Sequence, residues 1–329
     1  MTTQPERDEA LASARGIGSA ARSLVGRGGI VIPFLVTFAI LSVISPQFTH
    51  FVNLANILDQ QAGIVIVAAA ATFVLIAGGI DLSVGAVYGL AGAMTAQLVP
   101  SVGVPAAIAI GIALGVAVGL VNGVLVTRFR INALIGTLAM TYVVGGIGAI
   151  ATKGNLVVTF DHPEFQQFAA ARILGLTSAA WMMIALAVIV AIVLARTTFG
   201  RYVYATGGNP TAARLGGVRV DGIRLATFVI SGAAAALAGI IDASRVLSAQ
   251  ASSGAFLTFT VLAGVVVGGT SILGGEGAIW RTVIGCLFIA LVGNGFNLLG
   301  LDPFYQQITL GVILLLAVGI DAWSRRFER

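Results

Sequence analysis

The sequence has 329 residues, of which 58% are hydrophobic and only 9% are charged, with a formal net charge of +5. Because a soluble domain carries roughly a quarter charged residues, this composition excludes a water-soluble fold and indicates a polytopic membrane protein. The 43 glycines suit close helix packing in lipid, and the single cysteine, Cys286, excludes a disulfide framework. Membrane orientation explains the basic balance, so no nucleic-acid partner is expected.

Residues 1–28 are polar and contain arginines, and they lack the layout of a signal peptide, so we expect a cytoplasmic N-terminal tail. Apolar segments follow, each close to the roughly 20 residues that cross a bilayer. They are residues 29–46, 62–79, 84–99, 104–126, 132–151, 174–195, 224–243, 257–272, 278–299 and 305–322. The sequence therefore predicts an all-α, polytopic fold with about ten transmembrane helices over 29–322 and a cytoplasmic C-terminal tail over 323–329.

The distribution of positive charge supports this number of spans. With both termini in the cytoplasm, 15 of the 18 Lys and Arg residues fall in inner segments, and only Lys153, Arg172 and Arg245 remain outside. Such a bias is what the positive-inside rule requires. One span more or fewer would move every later loop to the other side and remove the bias.

The largest predicted outer segment covers residues 152–173 and mixes aromatic with polar side chains. Two interpretations are open: a surface that meets an external protein, or a re-entry loop anchored by phenylalanines at the membrane interface. Near the outer end of the seventh span, Asp242 and Arg245 are three residues apart. On a helix they share a face and can pair, which makes their charges tolerable there.

The predicted inner segment 197–222 is the longest polar interruption in the second half of the chain. Within it, Asn209 is expected to cap a short helix that has Pro210 at its first position. Gly216 and Gly217 supply the left-handed stop of that helix. A helix of about two turns is too short to be stable alone in water. It is therefore either part of a simple connection or a docking surface for a soluble partner on the cytoplasmic face.

Glycine-rich turns are predicted at 78–85 and 268–277 on the inner side. The first contains Asp81, and an ionisable residue near membrane depth is a functional candidate. The alternative is that Asp81 or Ser83 simply caps the next helix. The second turn resembles a phosphate cradle only superficially, because it lacks a lysine.

Several amide and hydroxyl side chains fall within or at the ends of apolar spans. Such groups must find a partner in lipid, either on another helix or on a polar solute that crosses the membrane. The candidates for a pathway or gate are Asp81, Ser83, Asn122, Asn132, Thr137 and Asn294.

Catalytic motifs are missing from the sequence. Its single lysine, Lys153, precedes Gly154-Asn155, so no phosphate-binding G-x-x-x-x-G-K-[ST] loop can exist. The two histidines, His50 and His162, are predicted at outer ends, which leaves no catalytic pair or metal cluster inside the membrane. We therefore expect neither enzyme activity nor a cofactor or metal in this chain, and any ATP must be hydrolysed by another chain.

Five stretches carry a family resemblance. They are AGGIDLSVGAVYGLAGA (77–93), GLVNGVLVTRFRINALIGTLA (119–139), TTFGRYVYATGGNPTAARLGGVRV (197–220), GAAAALAGII (232–241) and VVVGGTSILGGEGAIWRTVIG (265–285). Together, over about residues 30–322, the chain resembles permease subunits of the ribose/xylose/arabinose/galactoside group of bacterial ABC importers, within the branched-chain-type permease superfamily. One departure is that Thr258 and Thr260 stand where many relatives have acidic residues, so no role of those carboxylates is carried over.

The resemblance implies a multi-pass permease of the bacterial inner membrane that imports a pentose, hexose or related polyol by alternating access. It implies three partners: a second permease chain (identical or a close paralogue), a cytoplasmic ATPase whose two nucleotide-binding halves hold ATP and Mg²⁺, and a periplasmic sugar-binding protein. The residues implied to contact the ATPase are Arg201, Gly207, Gly208, Asn209, Ala212, Ala213, Leu215 and Gly216. The alternative is an ion-coupled secondary transporter of a small neutral solute, which needs an ion site at mid-membrane.

Overall fold

The structure is a computed structural model that describes residues 29–324, so the predicted tail 1–28 and residues 325–329 lie outside the described part. The described residues form thirteen helices and four two-residue strands. The helices are α1 (Val31–Ile44), α2 (Phe51–Ile76), α3 (Val84–Val102), α4 (Val104–Thr127), α5 (Ala133–Thr152), α6 (Pro163–Ala170), α7 (Ser178–Arg196), α8 (Thr198–Gly208), α9 (Pro210–Leu215), α10 (Val220–Val246), α11 (Leu257–Val267), α12 (Ile279–Leu298) and α13 (Pro303–Ser324).

Each predicted apolar segment overlaps one helix of the described chain. Six of these helices, α2, α4, α5, α7, α10 and α12, are long and apolar enough to cross a membrane by length and composition. Helices α1 and α11 are shorter apolar helices of 14 and 11 residues, and α3 contains Pro100 near its end. The helical, multi-pass class is confirmed, whereas the number of ten spans and the cytoplasmic termini stay predictions.

Two helix boundaries differ most from the predicted ones. Helix α2 begins at Phe51 instead of residue 62, because the polar side chains of its first turns find protein partners. The Asn53 amide pairs with Asn294, and the Asp59 carboxylate accepts from the Thr177 hydroxyl at 2.7 Å. Helix α11 ends at Val267 instead of residue 272, where Gly268 and a left-handed Gly269 (φ +79°) stop it.

The centre of the protein is formed by α2, α3 and α10. Helix α10 packs along both α3 and α4 and also contacts α2. Within their most apolar stretches, 67% of α2 and 56% of α10 are buried, against 22% in each of α4, α5 and α7. Glycines allow the close packing: a Cβ added to Gly239 would lie 2.0 Å from the Tyr88 carbonyl oxygen. Helices α4, α5 and α7 therefore leave most of their surface uncovered by the rest of the chain.

The segment predicted to lie outside contains α6 and short strands. Strand β1 (Val157–Val158) pairs antiparallel with β4 (Ser248–Ala249), and β2 (Arg172–Ile173) pairs with β3 (Leu176–Thr177). Helix α6 packs against α10, and its Phe165 is fully buried there. Phe165 is therefore not a membrane anchor, although Phe160 is exposed and remains available for either predicted role.

Candidate functional site

The short helix predicted after the sixth apolar segment is present as α9. The Asn209 side chain accepts a hydrogen bond from the Ala212 N–H at 2.9 Å, and Pro210 occupies the first turn. At the other end, Gly217 adopts a left-handed conformation (φ +84°), and the Val218 N–H bonds back to the Ala213 carbonyl at 3.0 Å. The predicted cap and stop are both confirmed.

The surface of α9 combines exposed polar and apolar groups. Leu215 is 87% exposed, Ala212 is exposed, and Ala213 faces inward with 7% exposure. Arg214 forms an ion pair of 2.8 Å with Asp221 in the first turn of α10. A large apolar side chain is thus held in solvent at the end of a helix whose conformation is fixed at both ends.

Helix α8, which precedes α9, was not predicted. Its start is capped by the Thr197 hydroxyl, which accepts from the Gly200 N–H at 3.2 Å. Val203 and Thr206 are fully buried on one face, whereas Arg201 is exposed and donates to the Thr198 hydroxyl at 3.1 Å. The signal in the sequence is the helical spacing of Phe199, Val203 and Thr206, which the polar character of the segment obscured.

The end of α8 meets both glycine-rich turns at a contact that we call the glycine junction: Ile76, Gly78, Gly207, Gly274 and Gly275. The Ile76 carbonyl accepts from the Gly275 N–H at 2.9 Å. A Cβ added to Gly207 would lie 1.7 Å from that same carbonyl oxygen, and one added to Gly274 would lie 3.0 Å from the Gly78 Cα. Three separate backbone segments therefore approach one another at distances that only glycine permits.

Two side chains reinforce the glycine junction. The Tyr204 hydroxyl on α8 donates to the Gly277 carbonyl at 2.7 Å. The Arg224 Nε on α10 donates to the Ala77 carbonyl at the end of α2, at 3.2 Å. The last turns of α2 and the second glycine-rich turn are therefore hydrogen-bonded to the elements on either side of α9.

Asp81 lies in the turn between α2 and α3 and is 4% exposed. Its Oδ1 accepts from the N–H and the hydroxyl of Ser83, at 3.0 and 2.7 Å, and its Oδ2 accepts from the Ser231 hydroxyl of α10 at 2.8 Å. The Asn122 amide of α4 donates to the Ser83 hydroxyl at 2.8 Å. The alternative in which Ser83 caps α3 is wrong, because its side chain makes no capping hydrogen bond and is bonded to Asp81 and Asn122 instead.

The same turn is bonded to two further helices. The Thr137 hydroxyl of α5 accepts from the Leu82 N–H at 3.0 Å, and the Thr258 hydroxyl of α11 accepts from the Gly85 N–H at 3.1 Å. Thr258 is thus buried at this contact, where its neutral hydroxyl meets the backbone of α3. The turn that holds Asp81 is therefore connected by polar contacts to α4, α5, α10 and α11.

The remaining pathway candidates occupy two different environments. Asn132 is exposed and caps α5 by accepting from the Leu134 and Ile135 N–H groups. Asn294 exchanges two amide hydrogen bonds with Asn53, at 2.9 and 3.1 Å. Asn132 and Asn294 therefore lie outside the hydrogen-bond network around Asp81. Ser83, Asn122 and Thr137 are part of that network.

Charged groups cluster at the opposite end of the helices. Arg245 pairs with Asp242, as predicted, and its Nη1 lies 3.7 Å from the Asp59 carboxylate of α2. The Tyr88 hydroxyl of α3 donates to Asp242. On α6, the Glu164 carboxylate accepts a hydrogen bond from its own backbone N–H and is bonded to His162. These two hydrogen bonds hold the pKa of the Glu164 carboxyl below its usual value. Among residues 29–324, no three His, Cys, Asp or Glu side chains are grouped to hold a metal ion.

Together, the apolar helices, the buried polar turns and the capped surface helix define a multi-pass membrane permease. The sequence family described as "Branched-chain amino acid transport system / permease component" matches residues 53–318. The chain belongs to this family of membrane permeases.

Individual relatives are similar over most of their length. A ribose import permease protein of Escherichia coli strain K12 is 40% identical over 299 residues, covering 88% of this chain and 92% of the relative. One of Bacillus subtilis strain 168 is 41% identical over 294 residues, covering 88% and 91%. An L-arabinose ABC transporter permease protein of Azospirillum brasilense is 37% identical over 328 residues, covering 99% and 96%. No solved structure matches the chain significantly.

Proposed function

We propose that this chain is the permease subunit of an ATP-driven, binding-protein-dependent sugar importer of a bacterial inner membrane. Relatives named as ribose and L-arabinose permeases match it over nearly their whole length, which supports a pentose, a hexose or a related polyol as the solute. Its partners are a second permease chain, a cytoplasmic ATPase with two nucleotide-binding halves that hold ATP and Mg²⁺, and a periplasmic sugar-binding protein. The membrane lipid surrounds α4, α5 and α7.

The observation that carries the proposal is the exposed Leu215 at the end of the capped helix α9. A leucine that is 87% exposed costs little by itself, but here it stands on a helix that is rigidly held at Asn209 and Gly217. An exposed apolar side chain on a rigidly held helix favours docking, because little backbone freedom is lost when a partner covers it. We therefore assign α9 as the coupling helix that the ATPase contacts.

Alternating access follows from the connection between the coupling helix and the core. When the ATPase halves close on ATP, they displace α9 and, through Asn209, the end of α8. Gly207 at that end touches the Ile76 carbonyl of α2, and Gly275 is bonded to the same carbonyl. A displacement of α8 is therefore transmitted to the turn that precedes α3 and to the turn that precedes α12.

The test compares two changes at one position. Leu215→Ser removes the apolar group and should lower the affinity of the permease for its ATPase about tenfold, whereas Leu215→Met conserves apolar area and should retain it. Affinity is measured by co-purification of the ATPase from detergent-solubilised membranes at a series of ATPase concentrations. Equal retention of the ATPase by both variants would refute the coupling assignment.

A second variant addresses the neighbouring alanines. Because Ala212 is exposed and Ala213 is buried, Ala212→Arg changes the docking surface, whereas a charge at position 213 would disrupt the helix itself. Ala212→Arg should insert normally and lose ATP-dependent uptake. The control is Ser252→Arg, an exposed position in the turn before α11, which should still co-purify the ATPase.

A further inference from the structure

A cavity lined by amides lies between α2, α11, α12 and α13, towards the ends that are predicted to face outward. Its volume is about 220 Å³, below the roughly 300–1,000 Å³ of pockets for drug-sized ligands. The polar side chains in its wall are Gln60, Gln61, Thr260, Asn294, Asn297 and Gln306. The rest of the wall is aliphatic apart from Gly293, and no charged side chain is part of it.

The hydrogen-bonding capacity of these amides is largely unused by the protein. Asn294 pairs with Asn53 and Thr260 donates to the Phe256 carbonyl. Within residues 29–324, no hydrogen bond joins the side chains of Gln61, Gln306 or the other two wall amides to a protein group. Gln60 and Asn297 are exposed, and Gln61 and Gln306 are half-buried, so these amides are open to water. Their hydrogen bonds to water can be exchanged for hydrogen bonds to a ligand that enters the cavity.

The chemistry of the wall specifies that ligand. Each amide supplies an acceptor and two donors, and a hydroxyl group likewise both donates and accepts. Several amides around aliphatic side chains such as Ile57 and Ile64 therefore match a neutral molecule that has many hydroxyls and C–H faces. A charged solute would enter a wall that offers it no counter-charge.

One wall amide is placed by a glycine. A Cβ added to Gly293 would lie 2.3 Å from the Gln306 Nε2, so the missing side chain on α12 makes room for this amide. Because Gln306 is a flexible side chain, a methyl group at position 293 would displace its amide without forcing the helices apart. The position of Gln306 in the cavity therefore depends on Gly293.

We propose that this cavity is a transient binding site for a neutral, polyhydroxylated solute of monosaccharide size, with Gln61 and Gln306 as its main hydrogen-bonding groups. The inference rests on the proposed import function and adds a place on the pathway: the solute reaches this site after it leaves the binding protein. Gln60 and Ile64 also line a neighbouring cavity of about 190 Å³ that includes Asp242 and Arg245. The site therefore lies beside the outer charged cluster.

The first experiment measures uptake by the complete transporter in cells, with radiolabelled ribose, L-arabinose, xylose and galactose. Gln61→Leu and Gln306→Leu should each lower uptake at sub-saturating sugar about tenfold, as expected when one hydrogen bond to the sugar is lost. Gly293→Ala should lower it about threefold by displacing Gln306. The matched control is Gln307→Leu, the next residue on α13, which is exposed and outside the wall; it should transport like the unmodified protein.

The second experiment does not depend on ATP-driven import. In a Cys286→Ser background, which removes the only cysteine, Gln306→Cys is labelled in the purified permease by a polar maleimide. Millimolar amounts of the same four sugars should slow this labelling, and they should not slow labelling of Gln307→Cys. Absence of protection by all four sugars overturns the inference, even if uptake requires ATP.

The two experiments separate the possible failures. Sugar protection in a protein whose uptake does not require ATP refutes the proposed function and retains the binding site. Normal uptake by both leucine variants at Gln61 and Gln306 overturns the site and leaves the importer assignment intact. Loss of the second permease chain from the Gln306→Leu variant, measured by size-exclusion chromatography, identifies the amides as an interface between chains and also overturns the site.

Discussion

A methyl group at Gly207 tests whether α8 transmits motion to the core. In the present packing the added Cβ would lie 1.7 Å from the Ile76 carbonyl oxygen, whereas real contacts of this kind essentially never fall below 3.0 Å. The end of α8 and the end of α2 must therefore separate by at least 1.3 Å (3.0 − 1.7) in Gly207→Ala. The oxygen belongs to the backbone, and the position of a Cβ is fixed by the backbone that carries it, so no side-chain rotation can relieve the clash.

The cost of this separation can be estimated from the contacts it disturbs. Overpacking of a close contact typically costs about 1–3 kcal/mol. The displaced Ile76 carbonyl also weakens its hydrogen bond of 2.9 Å from the Gly275 N–H, and a lost hydrogen bond adds about 1 kcal/mol. A total of about 2–4 kcal/mol is small enough for the helices to insert, but it is concentrated at the connection between the coupling helix and the two turns.

The assay measures ATP hydrolysis and sugar uptake in proteoliposomes that contain the permease and its ATPase, with and without the loaded binding protein. Gly207→Ala should hydrolyse ATP at a rate that the binding protein no longer stimulates, and its uptake should fall at least tenfold. Gly208→Ala is the matched control, because a Cβ at this neighbouring position meets no atom within 4 Å. If Gly207→Ala couples normally, or if Gly208→Ala fails to the same extent, the glycine junction does not transmit the motion.

Three further changes test other contacts. Asn209→Ala removes the cap of α9, at a cost of about 1 kcal/mol, and should weaken ATPase binding about fivefold in the co-purification assay, whereas Asn209→Asp keeps the acceptor and should bind normally. Arg245→Met leaves Asp59 and Asp242 without their shared partner and should lower stability by about 1–3 kcal/mol in thermal unfolding in detergent; adding Asp242→Asn should restore part of the loss. Asp81→Asn keeps the shape of the side chain and should retain ATP-driven uptake that a protonophore does not inhibit, while uptake by the unmodified protein that a protonophore abolishes would support ion coupling.

Structural features that depend only on residues close together in the sequence were predicted correctly. The coupling helix is determined by Asn209, Pro210 and the two glycines that follow it, all within a single stretch of nine residues. The Asp242–Arg245 pair is fixed by helical spacing in the same way. The apolar segments gave the approximate positions of the helices, because the mean hydropathy of a segment depends only on the residues within it.

Features that depend on distant residues were missed or misassigned. The start of α2 was placed too late because Asn53 looks like a loop residue until its partner, 241 positions away, is known. Ser83 has the sequence of a helix cap, but Asp81 and Asn122 compete for its hydroxyl. Nothing in the sequence around Gln306 indicated a binding role for its amide, because that role depends on the helices that surround the cavity.

The environment of Asp81 bears on how the transporter is driven. A carboxylate that couples transport to an ion must expose an oxygen to that ion in every cycle. Both oxygens of Asp81 already accept hydrogen bonds, from Ser83 and from Ser231, and the residue is 4% exposed. Asp81 therefore fixes the turn between α2 and α3 in place. The same turn contains Gly78, where an added Cβ would lie 3.8 Å from the Gly207 Cα of α8. This turn is held on one side by Asp81 and approached on the other side by α8, so it responds to a displacement of α8 at the surface. The arrangement favours a transport cycle driven by a partner outside the membrane.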